Sequence, residues 1–193
     1  MEPLPSFTKE EVTIFVHQML RQRNVKFDDT VVQRINDMLG APIPLFLQML
    51  TQELYRQWKR NKSEALSAAV VDEVFNKSLL GEMARDKLQH YRSRIDLHYP
   101  TLEREAVCQI LGNLSLSEKG LTHGALFQIY HRTESSRTGP RQGAALSQDF
   151  QRLLLHLQSD FYIEQQPDGT LDFTSRLLKI WWKKYYGYEY EGK

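Results

Sequence analysis

The chain of 193 residues is long enough for one or two small domains with a buried core, and its 41% hydrophobic and 25% charged residues are ordinary for a globular protein. Its formal net charge of +1 excludes a global attraction to nucleic acid or to an anionic membrane, so such binding must come from local patches. The single cysteine, Cys108, excludes an intramolecular disulfide. No apolar run approaches the ~18 residues of a membrane span, and no signal peptide is visible, so we expect a cytoplasmic protein.

Helical periodicity dominates the first half of the chain. Glycine at position 40 ends one predicted helix, and proline at position 44 begins the next, where its missing N–H has no helical partner to lose. A charged helix closes this half, from Glu82 to about Leu97. We therefore predict a bundle of four or five helices over residues 1–98. The residues predicted to start its first four helices are Thr8 with Glu11 as a capping box, Asp28 or Asp29, Pro44 and Ser67.

The second half, residues 99–193, predicts a separate domain of three helices, a β-hairpin turning at Asp168-Gly169, and a closing helix. We predict that the first helix ends at Gly112-Asn113, that residues 133–143 form a mobile loop, and that Ser147 caps the third helix. This order is that of a winged helix-turn-helix. The predicted fold class is therefore mainly α, with a small helical bundle followed by a winged helix-turn-helix that contains one β-hairpin.

Two stretches carry a resemblance to a known family. They are Gly40-Ala41-Pro42-Ile43-Pro44-Leu45-Phe46-Leu47-Gln48, and Asp160-Phe161-Tyr162-Ile163 with the following segment 173–182. In this order they resemble the C-terminal portion of AAA+ and STAND-like ATPases of the archaeal and bacterial type, where a helical lid and a winged helix follow the P-loop core. The resemblance implies that Gly40 and Pro42 lie near the adenine or ribose of a nucleotide held mainly by another domain. The alternative is that Gly40 is simply a helix C-cap and that Pro42 and Pro44 start a helix.

The chain departs from that family in two respects. No G-x-x-x-x-G-K-[ST] motif occurs. No arginine follows Pro42 where many AAA+ lids place a nucleotide-sensing arginine, since the nearest one downstream is Arg56. We therefore expect that this chain alone is not an enzyme, and that ATP or ADP is bound only in the context of a missing P-loop domain. The start at Met1 looks to us like that of a fragment following such a domain.

A winged helix that reads DNA needs exposed cations to neutralise phosphates. The segment from Ala144 to Ser175 holds five carboxylates and one arginine, a formal charge of −4, so we expect the wing to repel phosphate. The scattered histidines offer no metal-ligand pattern. The residues that remain candidates for contact with DNA or a partner are Arg137, Arg141, Arg152, Lys183, Lys184, Trp181 and Trp182.

These observations favour one function. The chain is expected to be the regulatory C-terminal region of a nucleotide-switched P-loop ATPase, with the lid contacting nucleotide bound elsewhere and the winged helix docking a partner or domain. Its partners are expected to be the P-loop domain in cis and an unidentified protein, with no membrane. The alternative is a DNA-binding winged-helix transcriptional regulator.

Overall fold

A computed structural model of the protein describes residues 7–40, 43–61, 64–138 and 144–190, with the side chains of residues 82–84 and 137–138 left aside. Helices dominate these residues. The predicted fold class, a mainly α chain in which a helical bundle precedes one small hairpin, is confirmed. Backbone contacts divide the chain into two compact units, the first of residues 1–87 and 175–177, the second of residues 88–174 and 178–193.

The described part of the first unit is built from four helices, of which the first two begin at capping side chains. They are α1 Lys9–Arg21, α2 Asp29–Leu39, α3 Pro44–Arg60 and α4 Ala68–Val74, followed by a π-helical turn, Phe75–Leu79. Thr8 and Glu11 form the predicted capping box, and Asp28 caps α2. Ser67 precedes α4, but its hydroxyl makes no cap hydrogen bond.

The apolar faces of these helices meet in one core. The apolar side chains at helical spacing lie on the buried face of each helix. The amphipathic pattern in the sequence predicts this bundle for that reason. Removing each large apolar side chain from water stabilises the fold by about 1.5–3 kcal/mol. The fully buried members of this core include Val16, Leu20, Ile35, Leu39, Phe46, Leu50, Leu54 and Phe75.

The helix α5, Glu82–His98, contributes residues to both units. Its buried side chains from residue 88 onward are Leu88, Tyr91 and Ile95, and the Tyr162 hydroxyl donates a hydrogen bond of 2.6 Å to the Tyr91 carbonyl within the second unit. The contact division therefore falls inside α5, whereas the predicted boundary between domains 1–98 and 99–193 lies at its end.

The second unit continues with α6 Thr101–Leu116, α7 His123–Thr138, α8 Ala144–Ser159, β1 Ile163–Gln165, β2 Leu171–Phe173, α9 Arg176–Tyr186 and a 3-10 turn, Gly187–Glu189. The strands β1 and β2 form the predicted antiparallel hairpin, in which Glu164 lies opposite Asp172. Leu121 adds one antiparallel bridge to Leu171, with backbone hydrogen bonds of 2.9 and 2.8 Å. The order is thus helix, bridge, two helices, hairpin and closing helix.

Three predicted boundaries in this unit are wrong. α7 runs through Thr138, and inside it the Thr133 and Ser136 hydroxyls donate to carbonyls four residues earlier, which is one way that hydroxyl side chains are accommodated within a helix. α8 begins at Ala144, so Ser147 lies within its first turn. α6 continues past Gly112 to Leu116.

Gly112 lies inside α6 because of the space around it. A Cβ atom placed on this residue would lie 2.3 Å from the Tyr190 ring, and the buried Tyr190 side chain therefore requires a residue without Cβ. A glycine inside a helix usually costs stability, so its presence here reflects the packing of a distant aromatic ring.

Aromatic side chains fill much of the core of the second unit. Trp181 and Trp182 are both fully buried, and Trp182 packs against Phe173 of β2 with ring centroids 6.0 Å apart. Tyr162 and Phe150 are fully buried as well. Within the described part of the chain, no helix has the length and apolar character needed to cross a membrane.

We predict that Gly112→Ala destabilises the protein by about 1–3 kcal/mol, because the added methyl group overpacks against the Tyr190 ring. Urea unfolding followed by circular dichroism measures this cost. The double variant Gly112→Ala/Tyr190→Ala should cost less than the sum of its two single changes.

Gly124 is the matched control, because it lies in α7 with no atom within 4 Å of an added Cβ. Gly124→Ala should raise stability by at most about 0.5–1 kcal/mol, because Gly124 is the second residue of α7 and the full propensity gain belongs to helix interiors. Equal effects at residues 112 and 124 would contradict the packing explanation.

Candidate functional site

The junction between α2 and α3 is the first candidate site. Gly40 ends α2 with φ of +70° and ψ of −123°, a backbone conformation that L side chains rarely adopt. Its N–H donates to the Asn36 carbonyl at 2.9 Å. An added Cβ would lie 3.6 Å from the Arg176 Cβ, which is ordinary contact, so backbone conformation rather than space requires glycine here.

Residues 175–177, which belong to the first unit, complete this junction. Ser175 is fully buried and pairs with Gly40 in an antiparallel bridge. The Arg176 guanidinium donates a 2.7 Å hydrogen bond to the Asp37 carbonyl. α2 has no basic residue in its last turn, so Arg176 supplies the positive charge that a helix C-terminus favours.

Sequence reasoning missed the roles of Ser175, Arg176 and Asp37. Arg176 and Asp37 are 139 positions apart in the sequence, so no local pattern indicates their hydrogen bond. One signal was available in the sequence. Gly40 lies in the first stretch that carries the family resemblance, residues 40–48, and Ser175 and Arg176 lie in the second, residues 173–182. Within the first unit, the structure brings Ser175 and Arg176 against the end of α2.

The N-terminus of α3 carries no side-chain cap within the described residues. Ile43 occupies the N-cap position without a side-chain cap hydrogen bond, Pro44 follows, and the first turn contains no acidic residue. Leu45, beside it, is a large apolar residue with 38% of its surface exposed. A helix end with this composition favours an anionic group, and the exposed leucine favours an apolar contact.

Pro42 lies outside the described residues, so the expected contact of Gly40 and Pro42 with nucleotide stays a prediction. Arg56 forms an ion pair with Glu53 one turn earlier on α3.

The exposed face of α8 is the second candidate site. Arg152, the fixed cation of this helix, pairs with Asp149. Gln151 lies 2.8 Å from the His123 ring nitrogen, Nε2 to Nε2. Leu155 is 61% exposed and lines a shallow groove with Gln148 and Arg152. This face of α8 therefore presents the apolar Leu155 side chain beside Arg152, whose charge is offset by Asp149.

The wing is less acidic than its sequence indicates. Asp160 pairs with Arg94 at 3.3 Å, and Asp172 pairs with Lys179 at 2.6 Å. Both cations lie outside the segment whose formal charge is −4, so a count along the sequence does not include them. Asp168 accepts hydrogen bonds from Thr170 in the turn, which lowers the pKa of its carboxyl.

The closing helix separates its candidate residues into two groups. Trp181 and Trp182 are fully buried, so neither indole presents a surface to DNA or to a partner. Lys183 and Lys184 are exposed, and the Lys184 ammonium lies 5.4 Å from the Tyr185 ring centroid. The Arg137 side chain and Arg141 lie outside the described residues.

The described residues contain no assembled centre for metal or thiol chemistry. No group of three or more His, Cys, Asp or Glu side chains among them is placed to hold a metal ion. Burial raises the pKa of the Cys108 thiol, so the reactive thiolate is disfavoured.

Comparisons with known proteins bear on the fold. No protein-family model and no curated protein matches the chain. A solved structure that is similar is the Walker-type ATPase of Pyrococcus abyssi, with a TM-score of 0.56 and 14% sequence identity, in a match covering 91% of this chain. The chain spans 42% of the length of that ATPase. At this identity the likeness shows a fold shared with part of a Walker-type ATPase.

We predict that Gly40→Ala destabilises the protein by about 1–2 kcal/mol, because alanine must adopt the positive φ of this position. The shift in urea midpoint measures the loss. Gly124→Ala is again the control, and a Gly40→Ala protein as stable as the parent would contradict the required backbone conformation.

We predict a pH-dependent gain from Glu164→Gln. Burial raises the pKa of the Glu164 carboxyl; the Gln166 side-chain hydrogen bond lowers it in part, and the Asp172 charge opposite raises it again. A carboxyl with a raised folded-state pKa contributes stability below its unfolded pKa and loses it as pH rises through the folded value. Glu164→Gln should therefore stabilise the protein by about 0.5 kcal/mol at pH 7 and by much less at pH ~3.5.

Asp168→Asn is the control of opposite sign. Because the folded-state pKa of Asp168 is lowered, its contribution is present at neutral pH and is lost as pH falls through that value. Urea unfolding at both pH values should show a loss for Asp168→Asn at pH 7 and a gain for Glu164→Gln. Gains for both would indicate a general charge effect.

Proposed function

We propose that this chain is the regulatory C-terminal region of a nucleotide-switched P-loop ATPase. The observation that carries the proposal is the match of 91% of the chain to a 42% portion of a Walker-type ATPase. A shared fold alone is an analogy, because one fold serves many tasks. The α2–α3 junction adds a local reason.

In this proposal the first unit is the lid. Gly40 and Pro42 contact a nucleotide whose phosphates are held by a P-loop domain. Support comes from the N-terminus of α3, which among the described residues carries neither a side-chain cap nor an acidic residue in its first turn. A nucleotide placed there would lie beside positive helix-end charge and beside the exposed Leu45 side chain.

The second unit is proposed to be a winged helix that docks a protein or a neighbouring domain. Its α8 face has Leu155 exposed at 61% and Arg152 paired with Asp149, so it lacks the free cations that a DNA-reading helix uses. An exposed apolar residue with a polar surround is typical of protein contacts. Signalling would follow from a hinge movement of the lid on nucleotide binding and release. We do not propose that this chain alone hydrolyses ATP. We propose that the protein is cytoplasmic.

The first test is the reading frame of the gene. We expect it to encode a Walker A motif upstream of Met1. A complete reading frame that begins at Met1, with no P-loop domain, would contradict the proposal.

The second test uses the full-length protein. Leu45→Asp should raise the KM for ATP or lower kcat by about tenfold, because it places a carboxylate where the proposal places the nucleotide, and tenfold corresponds to about 1.4 kcal/mol of lost interaction. The change should not unfold the protein, since an acidic residue in the first turn of α3 favours the helix.

Ile14→Asp is the matched control, since Ile14 is also an exposed apolar residue of the first unit, on α1, with 57% exposure. It should leave ATP turnover within about twofold of the parent, since a residue away from a site usually changes stability and activity little. Equal effects of the two variants would contradict a specific role for the start of α3.

A further inference from the structure

One end of the first unit carries five cationic side chains. Arg21 is the last residue of α1, Arg23 and Lys26 follow it, and Lys59 and Arg60 end α3. Arg23 is half-buried and the other four are exposed. We call this set the α1–α3 cationic surface.

One aromatic ring, that of Tyr55, brings together a cation that follows α1 and a cation of α3. The Arg23 guanidinium lies 4.7 Å from the centroid of the Tyr55 ring, and the Lys59 ammonium lies 5.1 Å from the same centroid. The Trp58 ring is stacked on Tyr55 with centroids 6.0 Å apart and planes 21° from parallel. Both rings remain partly exposed. The surface therefore combines cations from two segments with a stacked aromatic pair.

The cations of this surface have no carboxylate partners. Within the described residues, none of the five lies within ion-pair distance of an Asp or Glu side chain, although Arg34 pairs with Asp72 at 2.7 Å and Lys77 with Glu73 at 2.9 Å in the same unit. Asp28, two residues after Lys26, and Glu64, four residues after Arg60, form no such pair with these cations. The first unit therefore has ion pairs elsewhere, but the five cations of this surface have no carboxylate partner among the described residues.

Helix ends account for part of this charge only. Basic residues favour helix C-termini, and each C-terminus carries roughly half a negative charge. The two helix ends thus offset about one of the five positive charges. The nearby exposed carboxylates of Asp28 and Glu64 offset about two more, so a surplus of about two positive charges remains here, in a chain whose formal net charge is +1.

We propose that the α1–α3 cationic surface binds single-stranded nucleic acid. Phosphates would neutralise the unpaired cations, and unpaired bases would lie against the Tyr55 and Trp58 rings, the combination used by proteins that bind single strands without sequence preference. A duplex keeps its bases stacked inside and leaves the rings unused. The inference is separate from the proposed ATPase role, since it concerns neither the α2–α3 junction nor α8.

The test is fluorescence anisotropy of the protein with a labelled 20-residue oligodeoxythymidine. We expect micromolar affinity at 50 mM salt, and a plot of log K against log salt with a slope of about −2 to −3.5, because each phosphate contact on a single strand contributes about −0.7. The absence of binding at 50 mM salt would overturn the proposal.

Lys59→Glu and Lys9→Glu are a matched pair of charge reversals at exposed lysines of the first unit. Lys9 begins α1, so about 18 Å of helix separates it from Arg21. Lys59→Glu should weaken binding about tenfold and make the salt slope shallower, whereas Lys9→Glu should change affinity by less than about twofold. Equal losses in the two variants would show general charge attraction and overturn the assigned surface.

Tyr55→Leu keeps an apolar side chain and removes the ring, and it should weaken binding several-fold with little change in salt slope. Circular dichroism confirms folding of each variant, and the neutral variant Lys59→Gln replaces Lys59→Glu if the reversal unfolds the protein. Tighter binding of a 20-base-pair duplex than of the single strand would overturn the proposal. Equally strong competition by polyglutamate would overturn it too, in favour of an acidic protein segment.

Discussion

Two consecutive tryptophans on α9 impose the main packing constraint of the second unit. Neighbouring residues on a helix point about 100° apart, so burying both Trp181 and Trp182 requires cover over a wide part of the helix surface. Phe173 of the hairpin covers Trp182, and Tyr185 and Tyr186 pack against Trp181. Such large side chains dominate core energetics. The hairpin, although only three residues long in each strand, is thereby fixed against a rigid helix.

The same requirement for space explains Gly112. The chain beyond α9 turns through Gly187–Glu189 and places Tyr190 directly against α6, where a methyl group would not fit. Glycine at position 112 costs α6 about 1 kcal/mol of stability. Burial of the Tyr190 ring against it contributes more than that amount. The end of the described chain is therefore part of the core of its unit.

The distribution of paired and unpaired charge separates the candidate surfaces. On α8 and the wing, acidic residues are matched by Arg152, Arg94 and Lys179, so this region is closer to neutral than its composition indicates. On the α1–α3 cationic surface, positive charge stays unmatched beside a stacked ring pair. These differences support protein docking for the first surface and polyanion binding for the second, since phosphate affinity depends on free cations.

Local signals in the sequence determined most helix starts and the hairpin. The Thr8 capping box, Pro44 at the start of α3 and the Asp-Gly turn of the hairpin act through neighbouring residues, so their effect is readable without the fold. Gly40 as a helix end belongs to the same class.

Only the tertiary structure decided the features that depend on distant partners. The continuation of α6 through Gly112 depends on Tyr190, and the charge of the wing depends on Arg94 and Lys179. At the candidate site, the sequence pointed to Gly40, whereas Ser175 and Arg176, which complete the junction, came from the fold. The physical reason is that packing and ion pairing act through space, while caps and turns act along the chain.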